Sequence, residues 1–594
     1  MAGDGYADRI LRVNLTRRTV EDFPYRKEWK EQYLGGRGLG VRLVYDLVDP
    51  ATDPLGNGNV IVLAAGPLTG SGMPLGSRYS VAAKSPLTGT LASSNSGGFF
   101  GTGMKRAGVD AVVVEGRAVA PVYLWIRDGG CEIRDASPFW GMTSYQAMEE
   151  IRKDLGEKKA RIACIGPAGE RLARMACIVN DKGRAAGRGG MGAVLGAKRL
   201  KAVAVGGNGK VPRANPEEFS RVRDAIREKI EERGLNKGGL HRYGTAAVMN
   251  LINESHLLPT RNYQASHFDG AEAVSGERMR ETLVDRVTAC YSCSVACGRE
   301  TRAGELKGHG PEYETIWAFG PDCGVSNLTA IAQANYFCNQ LGLDTVSTGS
   351  TIACAMELSS RGYIREELRF GDEKAIVDLV RLMGYREGIG DALAEGSYRF
   401  ASAAGHPELS MSVKGQEIPG YDPRGLQGQG LEYATSVRGA CHVYGNMVYP
   451  EVFGIPVQLD PAVDEGKAGW VKHLQDLAAA LDSVGTCLFT FRALTPADYA
   501  AMVSAVTGRH LGEEGLLRAG ERTWNLQRLF NLGAGFTKKE DALPPRLMEE
   551  PISTGPAAGR VWRREPLLSE YYRIRGWDGE GVPTREKLAA LGIP

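Results

Sequence analysis

Three cysteines in the segment Cys290-Tyr-Ser-Cys293-Ser-Val-Ala-Cys297 constrain this chain more than any other feature. Spaced so closely, they offer soft thiolate ligands for three corners of a metal cluster. A fourth thiolate from elsewhere would close a [4Fe–4S] site, and the candidate is Cys487, in Asp482-Ser-Val-Gly-Thr-Cys487. A fold that satisfies this pattern must bring two distant stretches of chain together around an inorganic centre. Zinc is the competing reading, but zinc sites pair CxxC with a second CxxC or with histidines, and none lies close in the sequence. The reversed order, CxxxCxxC, would have pointed to radical chemistry with S-adenosylmethionine. A cluster held in this way moves single electrons, so the first expectation is a redox enzyme.

At 594 residues the chain is too long for one core, since domains run ~100–200 residues. A formal net charge of +2 gives no electrostatic reason to expect a nucleic-acid or membrane-surface partner. No apolar run approaches the ~20 residues of a membrane helix. The stretch Met1–Arg9 is charged and lacks the apolar core of a signal peptide. Eleven cysteines in such a chain read as metal ligands and buried thiols rather than disulfides, and the expected location is cytoplasmic. Cys131, Cys164, Cys177, Cys338 and Cys354 lie in apolar runs and read as core, while Cys323 and Cys441 are not assigned. Glycine, 78 residues, is about twice as frequent as usual, which points to tight loops and close approach of backbone to a bulky ligand.

Up to about residue 208 the chain consists of short strand-like runs with turn punctuation. Ile10–Leu15, Val60–Ala64, Tyr79–Ala83, Ala111–Glu115, Val122–Ile126 and Ala202–Val205 are examples, with a helix at Ser144–Leu155. This predicts a mixed, largely antiparallel β domain over 1–208. Past Val211 the texture changes: Asn215-Pro216-Glu217-Glu218 reads as a helix cap, followed by Phe219, Val222, Ile226 and Ile230 at helical spacing. Further helices are predicted over 330–341, 373–383, 471–481 and 497–506. A softer break near 410, at Pro407 and the loop-rich Lys414–Gln429, divides the rest into helical domains 209–410 and 411–594. The overall class is α+β, with no solenoid repeat.

A short echo links the two helical parts. Asn339-Gln-Leu-Gly342-Leu-Asp344 and Asp482-Ser-Val-Gly485-Thr-Cys487 share the form polar-x-x-Gly-x-ligand, each after a helical run. Glycine at the helix end permits the left-handed cap. The turn beyond it can present amides and a side-chain acceptor to a heterocycle, so two such ends could clamp one ligand. Taken singly, each is also an ordinary helix stop. Two further segments combine small residues with arginine: Gly76-Ser-Arg78-Tyr79 with Ser93-Ser-Asn95-Ser-Gly97-Gly98, and Arg184-Ala-Ala-Gly187-Arg188-Gly189-Gly190. Arginine forks and exposed amides suit phosphate oxygens, although a tight-turn role fits equally. Glu314 and His442 stand in suggestive places, after the cysteine trio and in a loop between helices.

These stretches, in this order, resemble the tungsten-dependent aldehyde:ferredoxin oxidoreductases over nearly the whole chain. The resemblance also rests on Gly35-Gly-Arg-Gly-Leu-Gly40, Ala82–Gly89, Leu258-Pro-Thr-Arg-Asn262, Pro311–Thr315, Asp422-Pro-Arg-Gly425 and Arg438-Gly-Ala-Cys-His442. It implies a β base and two helical domains enclosing a buried tungsten (or molybdenum) bis-pterin. By this analogy Arg78, Asn95, Gly97, Arg184, Ala185, Gly187 and Arg188 contact the pterins from the base. The carbonyls of Asn95 and Ala185 would hold a Mg²⁺ bridging the pterin phosphates. Asn339, Asp344, Arg438, Asp482 and Leu488 would bind from the helical side, and Cys290, Cys293, Cys297 and Cys487 would ligate the cluster. Asn339 stands where the family usually has aspartate. The family's histidine-containing site for an iron between subunits has no clear counterpart.

The resemblance implies oxidation of aldehydes to carboxylic acids, with Glu314 as general base and His442 donating to the carbonyl oxygen. Electrons would pass through the cluster to ferredoxin or to iron–sulfur and flavin partner subunits, within an oligomer or hetero-complex. Two alternatives remain. One is the tungsten subunit of a benzoyl-CoA-reductase-like complex, for which His256 and Cys323 are candidate metal contacts. The other is a non-catalytic iron–sulfur relay.

Overall fold

The computed structural model describes residues 4–593; residues 1–3 of the N-terminal stretch read above, and residue 594, lie outside the described residues. Twelve strands build the N-terminal part. β1 (Ile10–Asn14), β2 (Thr19–Phe23), β3 (Ile61–Ala65), β4 (Tyr79–Lys84), β5 (Leu91–Ser96) and β6 (Ala111–Glu115) form a six-stranded sheet in the order β2-β1-β6-β3-β4-β5. A second sheet holds β7 (Val122–Arg127), β8 (Gly130–Asp135), β9 (Arg161–Cys164), β10 (Ile178–Asn180), β11 (Arg184–Ala186) and β12 (Leu200–Gly206), in the order β11-β10-β9-β12-β7-β8. Taken from its other edge, the second sheet retraces the path of the first. Each has one parallel pair, β1 with β6 and β7 with β12, and antiparallel neighbours otherwise. The expected mixed, largely antiparallel domain is therefore one motif used twice.

Alternation along the strands builds three layers of core. Leu11, Val13, Leu63 and Val112 point into a core shared with Leu124, Ala163 and Val203 of the second sheet. Their neighbours Ile10, Val62 and Val113 face the helix Gly36–Leu47. Tyr123, Ile162 and Ala204 of the second sheet face the helix Ser144–Leu155. With both faces of each sheet covered, the central strands can be apolar throughout, as their runs of Val, Ile and Ala are.

Beyond the β part, the Asn215 side chain accepts from the amides of Glu217 and Glu218 and starts the helix Pro216–Glu232, whose Phe219, Val222, Ile226 and Ile230 are buried. Helices at Leu328–Leu341, Glu373–Tyr385, Lys467–Val484 and Pro496–Thr507 match the predicted spans within a few residues, and the helical part shares a continuous hydrophobic core. One departure matters for the site. β13 (Val284–Thr288), β14 (Gly298–Ala303) and β15 (Leu306–His309) form a small antiparallel sheet, and the cysteine trio lies in the loop joining its first two strands. Cys164, Cys177, Cys323, Cys338, Cys354 and Cys441 are buried, whereas Cys131 is only partly so.

The two echo motifs meet the two halves of the β part in matching ways. Gly342 and Gly485 both adopt the left-handed conformation, at φ 78° and 84°, as helix-ending glycines do. The amide of Arg78, just before β4, donates to the Gly485 carbonyl at 3.1 Å, and the amide of Cys177, just before β10, donates to the Gly342 carbonyl at 2.9 Å. Gly66, after β3, packs so closely on Val484 that a Cβ would overlap its backbone. Gly166, after β9, packs on Leu341 in the same way. Each helix end is thus seated on the same point of one copy of the β motif.

Candidate active site

A cavity of about 360 Å³ opens where the two helix ends meet the β base, and Cys290, Cys293, Cys297 and Cys487 all line it. The cysteine loop is pinned from three sides. The Tyr291 amide donates to the Gly98 carbonyl at 3.2 Å, the Leu75 amide to the Ser292 carbonyl at 2.9 Å, and His241 Nδ1 lies 3.0 Å from the Val295 carbonyl. Burial pushes the Cys293 thiol up to about 11, with the nearby Cys487 thiol adding to the effect. Among the described residues no three His, Cys, Asp or Glu side chains converge at single-ion spacing.

A buried polar chain runs away from Cys487. Arg78 Nη2 donates to Cys487 Sγ at 3.3 Å and Nη1 donates to Asn95 Oδ1. Asn95 Nδ2 donates to Asp482 Oδ1 at 2.7 Å, and Asp482 Oδ2 lies 3.6 Å from Arg37 Nη1. Burial raises the Asp482 carboxyl, against the pull of Arg37, Arg78 and Arg438. Arg37 and Arg438 both lie over the Tyr444 ring, at 3.7 and 4.1 Å. Arg438 also donates to the Ser93 carbonyl at 2.5 Å and to Cys441 Sγ at 2.9 Å.

On the side of the second β motif, Arg184, Ala185 and Gly187 line the cavity together with Asn339 and Asp344. Arg188 Nε donates to Asp344 Oδ2 at 3.4 Å, and its other nitrogens reach the carbonyls of Ala440 and Glu417. The Asp344 carboxylate has a second task, accepting from the Ser347 amide at 3.2 Å to cap the next helix. Gly97 is in the wall, and a Cβ there would stand 2.9 Å from Cys290 Sγ. Asn95, Arg188, Arg438 and Asp482 stand behind the lining, and Leu488 is partly buried beside it.

Glu314 and His442 reach the same cavity from the helix Tyr313–Phe319 and the turn after Cys441. The Gly420 amide donates to Glu314 Oε2 at 2.9 Å. Burial nevertheless pushes the Glu314 carboxyl up to about 7, outweighing that bond and the Arg188 cation. Burial, then the cations of Arg188 and Arg438, lower the His442 imidazole to about 3. A general base poised near neutrality therefore faces a neutral ring that can donate one N–H.

Buried polar atoms without protein partners gather here: Arg78 Nε, Arg438 Nε, His309 Nε2, Glu314 Oε1 and His442 Nδ1. Buried polar atoms are normally satisfied, so the concentration fits a cavity made for a polar ligand. Arg37, His309 and Tyr444 escaped sequence reasoning. Arg37 lies inside Gly35–Gly40 and His309 two residues before Pro311, but nothing in the sequence marks Tyr444. His256 and Cys323 are elsewhere. His256 bonds Thr554 at 3.0 Å and stacks on His267, while the Cys323 thiol donates to the Ala318 carbonyl at 3.2 Å inside the helical core.

Comparison with known proteins agrees along the whole chain. Residues 10–207 match the family model described as aldehyde ferredoxin oxidoreductase, N-terminal domain, and residues 221–593 match that for domains 2 and 3. The chain is 46% identical to the tungsten-containing aldehyde ferredoxin oxidoreductase of Pyrococcus furiosus, over 98% of each chain. It is also 46% identical to the protein of that name from Thermococcus kodakarensis, again over 98% of each. Among solved structures, the active site complex BamBC of benzoyl coenzyme A reductase matches with a TM-score of 0.87 at 25% identity, covering 100% of this chain and 98% of that one.

Proposed function

The chain belongs to the aldehyde ferredoxin oxidoreductase family, and on that premise we propose that it oxidises aldehydes to carboxylic acids with water. The observation that carries the reading is a single cavity bordered at once by four thiols, two arginine–glycine segments, both helix-end motifs and the Glu314–His442 pair. The residues fit the groups such chemistry needs. Cys290, Cys293, Cys297 and Cys487 would hold a four-iron cluster, whose corners keep its thiolates apart. Arg78, Arg184 and the turns of Asn339–Asp344 and Asp482–Cys487 would hold a tungsten bis-pterin, with Mg²⁺ on the Asn95 and Ala185 carbonyls. In this reading 1–208 is the base, and 209–410 and 411–594 each supply one clamp.

Bound there, the tungsten–pterin group supplies Lewis acidity and a two-electron sink. Conversion of an aldehyde and water to a carboxylic acid releases two electrons and two protons, and a third proton as the acid ionises at neutral pH, so a base is required. Glu314 takes a proton from water or from the aldehyde hydrate, and its raised carboxyl suits that task near neutral pH. His442, neutral at that pH, donates to the substrate oxygen as charge develops there. Asp482, in the last turn of its helix, and Cys487, just past it, are five residues apart, so in this reading the cofactor side and the electron-exit side of the cavity are joined by one short stretch of chain. The acceptor is a ferredoxin or an iron–sulfur partner subunit in the cytoplasm. The benzoyl-CoA-reductase-like reading has structural likeness in its favour. Its candidate contacts, His256 and Cys323, lie off the cavity.

Metal analysis joined to an aldehyde-dependent viologen reduction screen tests the proposal. About one tungsten or molybdenum and four irons per chain, with dye reduction by simple aldehydes, is the expected result. Iron alone would leave only a relay, and activity confined to an aromatic acyl-CoA would favour the other reading.

A further inference from the structure

The cysteine loop is not sealed inside the protein. Ala289 and Ser294 are exposed, and Tyr291 and Ser292 are partly so. Four exposed arginines stand around this rim: Arg106, Arg213, Arg242 and Arg280. Arg106 lies over the ring of Tyr291, within the loop itself, at 5.5 Å. Arg213 stacks on Phe219 at 4.0 Å and lies against Gly72, whose carbonyl accepts from Ser292 Oγ at 3.2 Å. Arg242 and Arg280 border a cleft with His241 and Val287, and His241 Nδ1 touches the Val295 carbonyl of the loop at 3.0 Å.

None of the four is paired with a carboxylate within 4.0 Å among the described residues, whereas several neighbouring charges are matched. Arg286 pairs with Glu300, Arg278 with Glu281 at 3.6 Å, and Asp285 with Lys307 at 3.1 Å and Arg302 at 3.5 Å. A protein of net charge only +2 thus concentrates uncompensated cations on one small edge. Such a patch steers association with a partner of opposite sign and fixes its orientation.

We propose that this rim is the docking surface of a small one-electron carrier protein with an acidic face, held by Arg106, Arg213, Arg242 and Arg280. The inference rests on the reading above, in which Cys290, Cys293 and Cys297 seat the electron-exit cluster. It adds the surface on which that acceptor docks and the residues that select it. Arginine suits this work because its fork binds carboxylates bidentately, and two of the four are braced by aromatic rings.

The test uses the metal-loaded enzyme with Arg106→Glu and Arg242→Glu combined, and the matched Arg→Lys pair as a control for folding. Binding of an oxidised acidic ferredoxin is measured directly, without turnover, beside aldehyde-dependent reduction of viologen. The proposal expects the Glu variant to lose at least ~10-fold in ferredoxin affinity at about 0.01 M salt, with the difference closing toward about 1 M as screening takes over. Viologen reduction stays at the wild-type rate, the Lys variant binds like wild type, and a basic cytochrome does not bind the wild type. Unchanged ferredoxin affinity and salt dependence in the Glu variant would overturn the docking surface. Absence of viologen reduction in the wild type would instead overturn the enzymatic reading, and the binding measurement would still decide the surface.

Discussion

Glu314 Oε1 and His442 Nδ1 face each other at 3.5 Å, and neither atom has a hydrogen-bond partner. The distance is that of an ion pair, but the protonation states are not. Burial holds the imidazole neutral until about 3 and keeps the carboxyl protonated up to about 7. In neutral solution the two groups are a base at its midpoint and an uncharged ring, and both residues line the cavity.

Turnover should therefore rise with pH through about 7, as Glu314 ionises. Its folded value lies above the ordinary 4.5, so the native state keeps a proton that the unfolded chain has lost between those values. Stability contributed by this group falls as pH rises across that window. Glu314→Gln should cut kcat by ~10²–10⁴ and abolish that limb of the pH profile, with tungsten content unchanged and stability above pH 7 equal or greater. Loss of metal in the variant would assign Glu314 a structural role.

Replacing His442 removes a donor rather than a charge. His442→Ala should lower kcat by ~10²–10³, the usual cost of losing one such hydrogen bond, and His442→Asn should recover part of it. The ring is neutral above about 3, so neither variant should move the limb near 7. A shifted limb would mean that His442 is the titrating base.

In the proposed reading Cys487, which lines the cavity with the cysteine trio, is the distant ligand that closes the cluster, so Cys487→Ser should abolish the iron signal. Iron analysis and the electron paramagnetic resonance spectrum of the reduced protein check this without any activity assay. Full iron occupancy in the variant would remove Cys487 from the ligand set.

Gly97→Ala acts on the same loop from the other side. Its methyl would lie 2.9 Å from Cys290 Sγ, tighter than van der Waals contact allows, so the sulfur that the proposed cluster needs must shift. The expected result is reduced iron content with retained fold, read as iron per chain against the circular dichroism spectrum.

Arg37→Leu should destabilise the protein by about 3–5 kcal/mol, the cost of leaving a buried partner uncompensated. The guanidinium is fully buried, lies 3.6 Å from Asp482 and accounts for two bonds to Gln527. Urea unfolding measures the effect, and tungsten content should fall with it if Asp482 holds the cofactor.

Much of this was legible from local chemistry. Ala111–Glu115 reads as a strand because β-branched residues dominate it, and Asn215-Pro216 announces a helix because a side-chain acceptor and a prebuilt φ suit its first turn. Gly342 and Gly485 mark helix ends by their left-handed backbone. β5 and β11 were not legible as strands. Their serines, asparagine and arginine carry no apolar alternation, since these strands bring polar groups to the cavity. The hairpin around the cysteine loop was hidden likewise, since its strands carry exposed charged residues such as Asp285, Arg286 and Arg302.

The sequence by itself determined the close spacing of the three thiols, the change from strand to helix near 208 and the two glycine-ended turns, because each depends on neighbours a few residues apart. Only the tertiary structure decided that the β motif is used twice, that each copy receives one helix end, and that Glu314 meets His442 across an unsatisfied gap. Those relations join residues more than a hundred positions apart. They follow from how covered sheets and helix ends pack, which no local period of side chains encodes.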